Sequence, residues 1–223
     1  MRLTPLVAAL ASLALPLAAN AQAKKAVGHI ELVDPAGDVT AITTSEHEYP
    51  GFDVVKMAVK SDGQRITFSA TLQDAPGVFA AEVLKMYFDT DNNAKTGAAV
   101  GYPNRPGFEF KAELDACATY ADKSSACIGG SNAKVQTHYA TIGLDRLKGK
   151  DAYDTDTVVD VLGFPGKKKS PQTPIAGKLV EATVDYADLQ VKPGQTVRIL
   201  VQEASGSGAE DSGYFPEIVL TLQ

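Results

Sequence analysis

The sequence predicts an all-β protein with minimal helix, from two observations. Apolar and polar side chains alternate with a period of two, as in FDVVKMAVK (52–60) and QRITFSATL (64–72). Turn-forming residues separate such runs. Asp62-Gly63, between these two, is a strong hairpin signal because tight turns need residues that tolerate positive φ. Short strands at this spacing are typical of a β-sandwich or a β-barrel.

The remaining strand candidates follow along the chain. They are residues 82–89, 107–114, 133–142, 157–164, 179–186, 196–204 and 217–222. A helical turn is expected only near residues 80–84 and 185–189. A parallel α/β fold would need helices of about 10–15 residues between strands, and the sequence shows none. No internal repeat or long linker divides the chain, so residues 24–223 are predicted to form a single domain.

Residues 1–23 have the layout of a secretory signal peptide. Arg2 supplies a positive charge, residues 6–17 form an apolar core, and small residues follow in A-N-A and A-Q-A patterns. We place cleavage after Ala23, with Ala21 as the alternative; the other interpretation is an amphipathic first helix of the fold. The apolar run is shorter than the roughly 20 residues that span a bilayer. We therefore expect a periplasmic or secreted protein with no membrane span in the mature chain.

The charge distribution indicates which classes of partner to expect. The full chain has a formal net charge of −6, and removal of the signal peptide takes away one further positive charge, Arg2. The one basic run, residues 167–169, lies between Gly166 and Ser170-Pro171, which is typical of a loop. Nucleic-acid binding is not expected, because phosphates need concentrated Lys and Arg.

The two cysteines predict a structural disulfide. Cys117 and Cys127 are the only cysteines and enclose a short polar segment, ATYADKSSA. In exported proteins such pairs are usually oxidised to disulfides. A bridge of this loop length would stabilise the fold by roughly 2–3 kcal/mol. The alternative, a redox-active pair, is more often spaced C-x-x-C.

A candidate metal-binding loop lies in MYFDTDNNAKTG (86–97). Asp89, Asp91 and Asn93 alternate after a strand, and Thr96-Gly97 follows. Ca²⁺ takes six to eight oxygen ligands, and D-x-D-x-N spacing lets alternate side chains converge on one point. The segment is not an EF-hand, since Ala94 and Val100 stand where the turn Gly and the bidentate Glu belong. Further ligands would come from Glu109, Asp34 or Asp38. The other interpretation is turn chemistry alone, in which Asp and Asn cap their own loop backbone.

Several of these motifs recur together in a known group. In order they are DPAGD (34–38), YPGFDVVKMAVKSDGQRITFSATL (49–72), YFDTDNNAKTG (87–97) and GFEFKAEL (107–114). Residues 30–115 thereby resemble exported β-sandwiches that include the DOMON domains and family 9 carbohydrate-binding modules; beyond Cys117 only the strand pattern is similar. The resemblance implies a two-sheet antiparallel β-sandwich (jelly-roll or immunoglobulin-like), often with a structural calcium ion. The group's acidic positions fall on Asp34, Asp38, Asp89 and Asp91.

The resemblance also implies a sugar or haem ligand. Sugar-binding members stack rings on tryptophan, which this chain lacks. Tyr102, Tyr214 and Phe215 are candidate stacking residues near predicted turns, and the last two lie in the long loop 205–217. Core or rim packing is the alternative role for each. Haem is not expected, because Met57 and Met86 occupy apolar strand positions typical of core residues.

The sequence thus predicts an exported, non-catalytic binding module for a carbohydrate or another cell-envelope ligand, with a structural calcium site. No catalytic residues are assigned, since no G-x-S-x-G motif is present and nothing selects a pair of carboxylates. Two alternatives remain open. One is a carboxylate-based hydrolase, and the other is a protein-interaction module with an exposed strand edge.

Overall fold

Two β-sheets form the fold. The structure is a computed structural model that describes residues 23–34, 42–43, 48–49, 52–77, 80–100, 105–127, 133–147, 158–162, 172–203 and 215–223. Its strands are β1 (Lys24–Val27), β2 (His29–Val33), β3 (Ile42–Thr43), β4 (Glu48–Tyr49), β5 (Val54–Ser61), β6 (Arg65–Leu72), β7 (Ala81–Asp89), β8 (Ala98–Val100), β9 (Arg105–Phe108), β10 (Phe110–Tyr120), β11 (Ser125–Ala126), β12 (Val135–Leu147), β13 (Val158–Leu162), β14 (Thr173–Pro174), β15 (Leu179–Asp185), β16 (Thr196–Glu203) and β17 (Ile218–Thr221). One short helix, α1 (Tyr186–Leu189), follows β15.

The larger sheet has the order β1-β17-β16-β7-β10-β12-β13, with β11 added beside β10 and β14 beside β12. The smaller sheet has the order β15-β6-β5-β2. Two short hairpins, β3-β4 and β8-β9, complete the described strands. Within the described residues β1 and β17 pair in parallel and the other strand pairs are antiparallel. The predicted all-β sandwich is therefore confirmed.

The main core lies between the two sheets. Phe68 of the smaller sheet and Phe88 of the larger sheet meet edge to face, with ring centroids 5.6 Å apart. Met57 and Met86 are both fully buried in this core. Alternation along β10 explains the layering: Phe110, Ala112, Leu114 and Ala116 point into the core. The intervening residues Lys111, Glu113, Asp115 and Cys117 occupy the opposite side of the sheet, which we call the outer face.

The β8-β9 hairpin covers one part of the outer face. A second apolar cluster forms beneath it, in which Tyr87 and Phe108 meet edge to face at 6.4 Å. The other members are Ala98, Val100, Leu147 and Leu200. The loop that joins β7 to this hairpin carries the D-x-D-x-N motif, so the motif lies at the rim of the outer face.

The two predicted helical turns have opposite outcomes. The turn near residues 185–189 is confirmed as α1, whereas the prediction of a helical turn at 80–84 is wrong because β7 begins at Ala81. Strand β7 pairs with β10 on one side and with β16 on the other. Val83 and Leu84 are both fully buried in the main core. Hydrogen bonding on both edges outweighs the weak helix preference of so short a segment.

The predicted disulfide is also confirmed, since Cys117 of β10 is bonded to Cys127 just after β11. It closes the β10-β11 hairpin, whose register pairs Ala118 with Ala126. In the described part of the chain no helix is long and apolar enough to cross a membrane. The predicted signal peptide lies in residues 1–23, of which only Ala23 is among the described residues.

Candidate metal centre

Asp89 is the last residue of β7, and its side chain is fully buried. The strand register places Arg198 of β16 directly opposite. Arg198 Nε donates a hydrogen bond of 2.7 Å to Asp89 Oδ2, which supplies the countercharge that a buried carboxylate requires. Asp89 Oδ1 faces the following loop and accepts a 3.2 Å hydrogen bond from the backbone N–H of Asn93.

The loop after Asp89 folds around its own polar side chains. Asp91 Oδ1 accepts a 3.0 Å bond from the Asn93 backbone N–H, and Asn93 Oδ1 accepts a 3.1 Å bond from the Lys95 N–H. Asn92 between them adopts a left-handed conformation with φ 54°. Aspartate and asparagine side chains typically stabilise tight turns in this way. The predicted turn chemistry is therefore present.

Glu109 approaches the loop from the other side, at the junction between β9 and β10. Its Oε2 accepts hydrogen bonds from Thr90, at 2.8 Å from the backbone N–H and 3.2 Å from the hydroxyl. Burial raises the pKa of the half-buried Glu109 carboxyl, and the negative charges of Asp91 and Asp89 act in the same direction. The hydrogen bonds from Thr90 and Thr96 partly oppose that increase.

The acidic side chains converge on Thr96. Thr96 Oγ1 lies 3.0 Å from both oxygens of Asp91 and 3.0 Å from Glu109 Oε1, and 2.8 Å from the Asn93 carbonyl oxygen. A hydroxyl has a single proton to donate, so Thr96 can donate a hydrogen bond to only one of these oxygens at a time. The other oxygens meet the Thr96 oxygen through lone pairs. One oxygen from each of Asp89, Asp91 and Glu109 also lies within 4.8 Å of the other two. This group could hold a metal ion, because a cation would neutralise the converging oxygens.

Gly97 permits this close approach. It has φ +63°, and a Cβ atom there would lie 2.3 Å from the Phe108 carbonyl oxygen and 2.8 Å from Glu109 Oε1. Both distances are far below van der Waals contact, and only glycine adopts this φ at little cost. The Thr96-Gly97 pair of the motif thus has two roles: a hydroxyl at the centre of the oxygens and a residue without a side chain against the β9-β10 junction.

The predicted metal ligands separate into three groups. Asp89, Asp91 and Thr96 come together, with Glu109 as the added carboxylate. Asn93 presents its backbone oxygen, because its side-chain oxygen is bonded to Lys95. Asp34 lies elsewhere: it follows β2 of the smaller sheet, and its N–H donates to the Val55 carbonyl at 3.1 Å. Asp38 lies outside the described residues.

The predicted ligand-stacking residues are only partly described. Phe215 is 5% exposed and packs in the main core, with its N–H bonded to the Val201 carbonyl at 3.0 Å. Its ring is therefore placed for core packing rather than for stacking on a ligand. Tyr102 and Tyr214 lie outside the described residues.

Sequence reasoning missed Arg198. The segment TVRILVQEA has the pattern of a strand, and nothing local distinguishes its arginine from a solvent-exposed charge. Only the pairing of β16 with β7 reveals its role as the partner of Asp89. A buried aspartate at a strand end implies some cation, but the motif does not indicate where in the sequence that cation lies.

Comparison of the chain with family models, with curated proteins and with solved structures gives no match. The functional assignment therefore depends on the geometry of the described residues and on the sequence motifs.

Proposed function

We propose that this protein is an exported, non-catalytic binding module whose β7–β10 region is stabilised by Ca²⁺. The single observation that carries the proposal is the convergence of three carboxylates, since one oxygen from each of Asp89, Asp91 and Glu109 lies within 4.8 Å of the other two. Asp91, Glu109 and the Asn93 carbonyl also contact the Thr96 hydroxyl. Such a cluster is electrostatically unfavourable by itself. A bound cation would change it into a favourable one.

The donor set favours calcium over other metals. All the available ligands are oxygens, from carboxylates, a hydroxyl and a carbonyl, and they come from a turn and two strand ends. Hard cations prefer such oxygens, and Ca²⁺ tolerates irregular arrangements that Mg²⁺ does not. Zinc and copper sites use His or Cys, and the carboxylate group Asp89, Asp91 and Glu109 contains neither.

The ion would link three segments of the fold. Asp89 belongs to β7, Asp91 to the following loop, and Glu109 to the junction between β9 and β10. Binding one cation to all three would fix the loop that leads into the β8-β9 hairpin. That hairpin covers the apolar cluster on the outer face, so the ion would hold this cover in place.

For the ligand we propose a carbohydrate or another cell-envelope component. The support is the signal-peptide pattern and the resemblance of residues 30–115 to exported sugar-binding sandwiches.

The metal is tested by thermal unfolding of the mature chain, from Lys24, in excess Ca²⁺ and in EDTA. Binding to the native state alone raises the free energy of unfolding by about 2.7 kcal/mol at a hundredfold excess over Kd. We expect a clear rise in Tm with Ca²⁺ for the wild type. The Asp91→Asn variant should lose that rise, because one of the three carboxylate ligands loses its charge. Asp91 is exposed, so its substitution perturbs no core contact.

Asp62→Asn is the matched control. Asp62 also caps a turn through one carboxylate oxygen, which accepts from the Gln64 and Arg65 N–H groups. It belongs to no described carboxylate cluster. This variant should keep the full response to Ca²⁺. If the wild type melts at the same temperature in Ca²⁺ and in EDTA, the Asp and Asn side chains of the Asp89 loop only stabilise the turn. The metal part of the proposal would then fail.

A glycan array with the Ca²⁺-loaded protein tests the ligand separately. Specific retention of one glycan class would support the proposed ligand. A uniformly negative array with a Ca²⁺-responsive protein would contradict the carbohydrate assignment and leave the metal site intact.

A further inference from the structure

A second group of carboxyls lies on the outer face, away from the metal centre. Asp115 of β10 stands opposite Glu82 of β7, next to an irregularity in the register between Leu114 and Asp115. Such bulges redirect side chains and are frequent beside functional sites. Asp115 is only 1% exposed, and its Oδ2 is buried with no hydrogen-bond partner among the described residues. A buried, unpaired carboxyl oxygen is costly and needs an explanation.

The nearby cations are engaged elsewhere. Lys111 Nζ lies 2.9 Å from Glu113 Oε1 and 3.3 Å from Asp145 Oδ2. Lys85 Nζ lies 3.5 Å from Glu82 Oε1, which is an ion pair too long for a good hydrogen bond. Lys111 is thus paired with Glu113 and Asp145, which leaves Lys85 as the described ammonium group beside Glu82. The group is short of positive charge at Asp115 and Glu82.

The electrostatics of Asp115 agree with that shortage. Burial is the main cause that raises its pKa, to about 8, and the charges of Glu82 and Glu113 add to the increase. Lys85 is the cation that opposes it. Burial likewise raises the pKa of Glu82. A second ammonium group next to both carboxyls would remove the mutual repulsion and complete their hydrogen bonds.

The geometry limits what can enter. Among the described residues only the Asp89 group brings three carboxylate ligand atoms within 4.8 Å of one another, so the outer-face carboxyls do not offer the ligand cluster that a bare metal ion takes. The surrounding side chains leave little room: Glu82 and Glu113 are each 16% exposed and Lys85 is 28% exposed. An ammonium on a narrow alkyl stem would supply the missing positive charge and would need little space between these side chains.

We propose that Asp115 and Glu82 form a binding site for a primary ammonium group on an unbranched alkyl stem. The ammonium would donate hydrogen bonds to Asp115 Oδ2 and Glu82 Oε1. The disulfide and Tyr139, next along the same face, would offer apolar surface to the stem. This site shares no residue with the metal centre and stands independently of the proposed calcium function.

Binding of an amine at this site would be linked to the release of one proton from Asp115. An ammonium pairs with the ionised form of Asp115, so a protonated Asp115 must release its proton to solvent when the amine binds. Affinity should therefore rise about tenfold per pH unit between pH 6 and pH 7, where the free carboxyl is protonated. The amine itself stays charged over this range, with a pKa of about 10. A purely structural Asp115 would show no such linkage.

The test uses n-butylamine as the probe and n-butanol as its neutral counterpart. The Asp115 carboxyl is followed by ¹³C NMR in the labelled mature protein during a pH titration. Saturating n-butylamine should lower the titration midpoint of Asp115, whereas n-butanol should leave it unchanged. Nα-acetyl-lysine methylamide distinguishes the source: binding tighter than n-butylamine indicates a lysine side chain of a partner protein, and equal binding indicates a free amine.

Variants separate the site from general surface charge. Asp115→Asn should weaken n-butylamine binding at least about tenfold, the effect of one charged hydrogen bond. Glu82→Gln is the second variant, should Asp115→Asn fail to fold, and it should also weaken binding. Glu31→Gln is the control, because Glu31 is paired with Lys56 on the smaller sheet. An Asp115 midpoint that ignores saturating n-butylamine, or equal binding of n-butanol, would overturn the proposal.

Discussion

Arg198 Nε lies 2.7 Å from Oδ2 of Asp89, whose side chain is completely buried. The same guanidinium donates from Nη2 to the Pro106 carbonyl at 2.9 Å and lies 5.3 Å from the centroid of the Phe108 ring. One side chain thus joins β16 to the end of β7 and to β9. The pair balances the charge of Asp89 while leaving Oδ1 directed toward the candidate metal centre.

Arg198→Met should destabilise the protein strongly. The substitution keeps much of the apolar stem and leaves Asp89 as an uncompensated buried charge, which typically costs about 3–5 kcal/mol. Urea unfolding in EDTA measures this loss, and Asp89→Asn in the same background should recover part of it. The affinity for Ca²⁺ should increase, because a positive charge beside a ligand is removed. A loss no greater than that of the exposed-site variant Lys192→Met would contradict this role.

Gly97→Ala should cost more than an ordinary substitution at positive φ. The new Cβ would meet the Phe108 carbonyl oxygen at 2.3 Å. Gly177→Ala is the matched control, since Gly177 has φ +72° and a Cβ atom there would have no neighbour within 4 Å. Both variants carry the backbone cost of about 1–2 kcal/mol. Gly97→Ala should lose about 1–3 kcal/mol more, by overpacking, and should weaken the response to Ca²⁺. Equal losses in urea unfolding would show that the close approach is unimportant.

Loss of the disulfide should lower stability by about 2–3 kcal/mol. The bridge closes a short loop, and its removal returns conformational freedom to the unfolded chain. The Cys117→Ala/Cys127→Ala double variant is compared with wild type by urea unfolding, with and without dithiothreitol. Reductant should lower the stability of the wild type toward that of the variant and leave the variant unchanged. A variant as stable as the oxidised wild type would contradict the prediction.

Asp115 should make the protein less stable as pH rises. Its folded pKa of about 8 lies above the ordinary value of 3.8. Between these values the folded state keeps a proton that the unfolded state has released. The free energy of unfolding should therefore fall as pH rises from about 4 to 8, by at most about 1.4 kcal/mol per pH unit for one proton. The raised pKa of Glu82 acts with the same sign.

Urea unfolding across that pH window checks this slope. Asp115→Asn should flatten it, because the titrating group is gone. Asp62→Asn should leave it unchanged, because hydrogen bonds from Gln64 and Arg65 lower the pKa of Asp62. An identical slope in wild type and Asp115→Asn would show that Asp115 does not titrate in this window.

Much of the candidate metal centre was visible in the sequence. The spacing of Asp89, Asp91 and Thr96 within one loop fixes their proximity, because residues so close along the chain cannot move far apart. The sequence left Glu109, Asp34 and Asp38 open as further ligands. The structure selects Glu109 over Asp34 because the junction of β9 and β10 folds back against the end of β7, whereas Asp34 follows β2 in the other sheet.

The outer-face group was not visible in this way. Glu82, Glu113 and Asp115 have the pattern of ordinary polar positions in alternating strands, which normally face water. The structure buries Asp115 because β7 and β12 flank β10 on both sides and supply their own side chains above it. Burial at this position depends on neighbours that are distant along the chain.

By itself the sequence determined the strand pattern, the hairpin at Asp62-Gly63, the disulfide and the turn that carries Asp89. These depend on the period-two alternation, on local backbone preferences and on short loop closure, all of which act between residues near one another in the chain. Only the tertiary structure decided that Arg198 pairs with Asp89, that Glu109 joins the loop, and that Asp115 is buried opposite Glu82. Those contacts follow from strand order and register, which are set when the two sheets bury their apolar faces together.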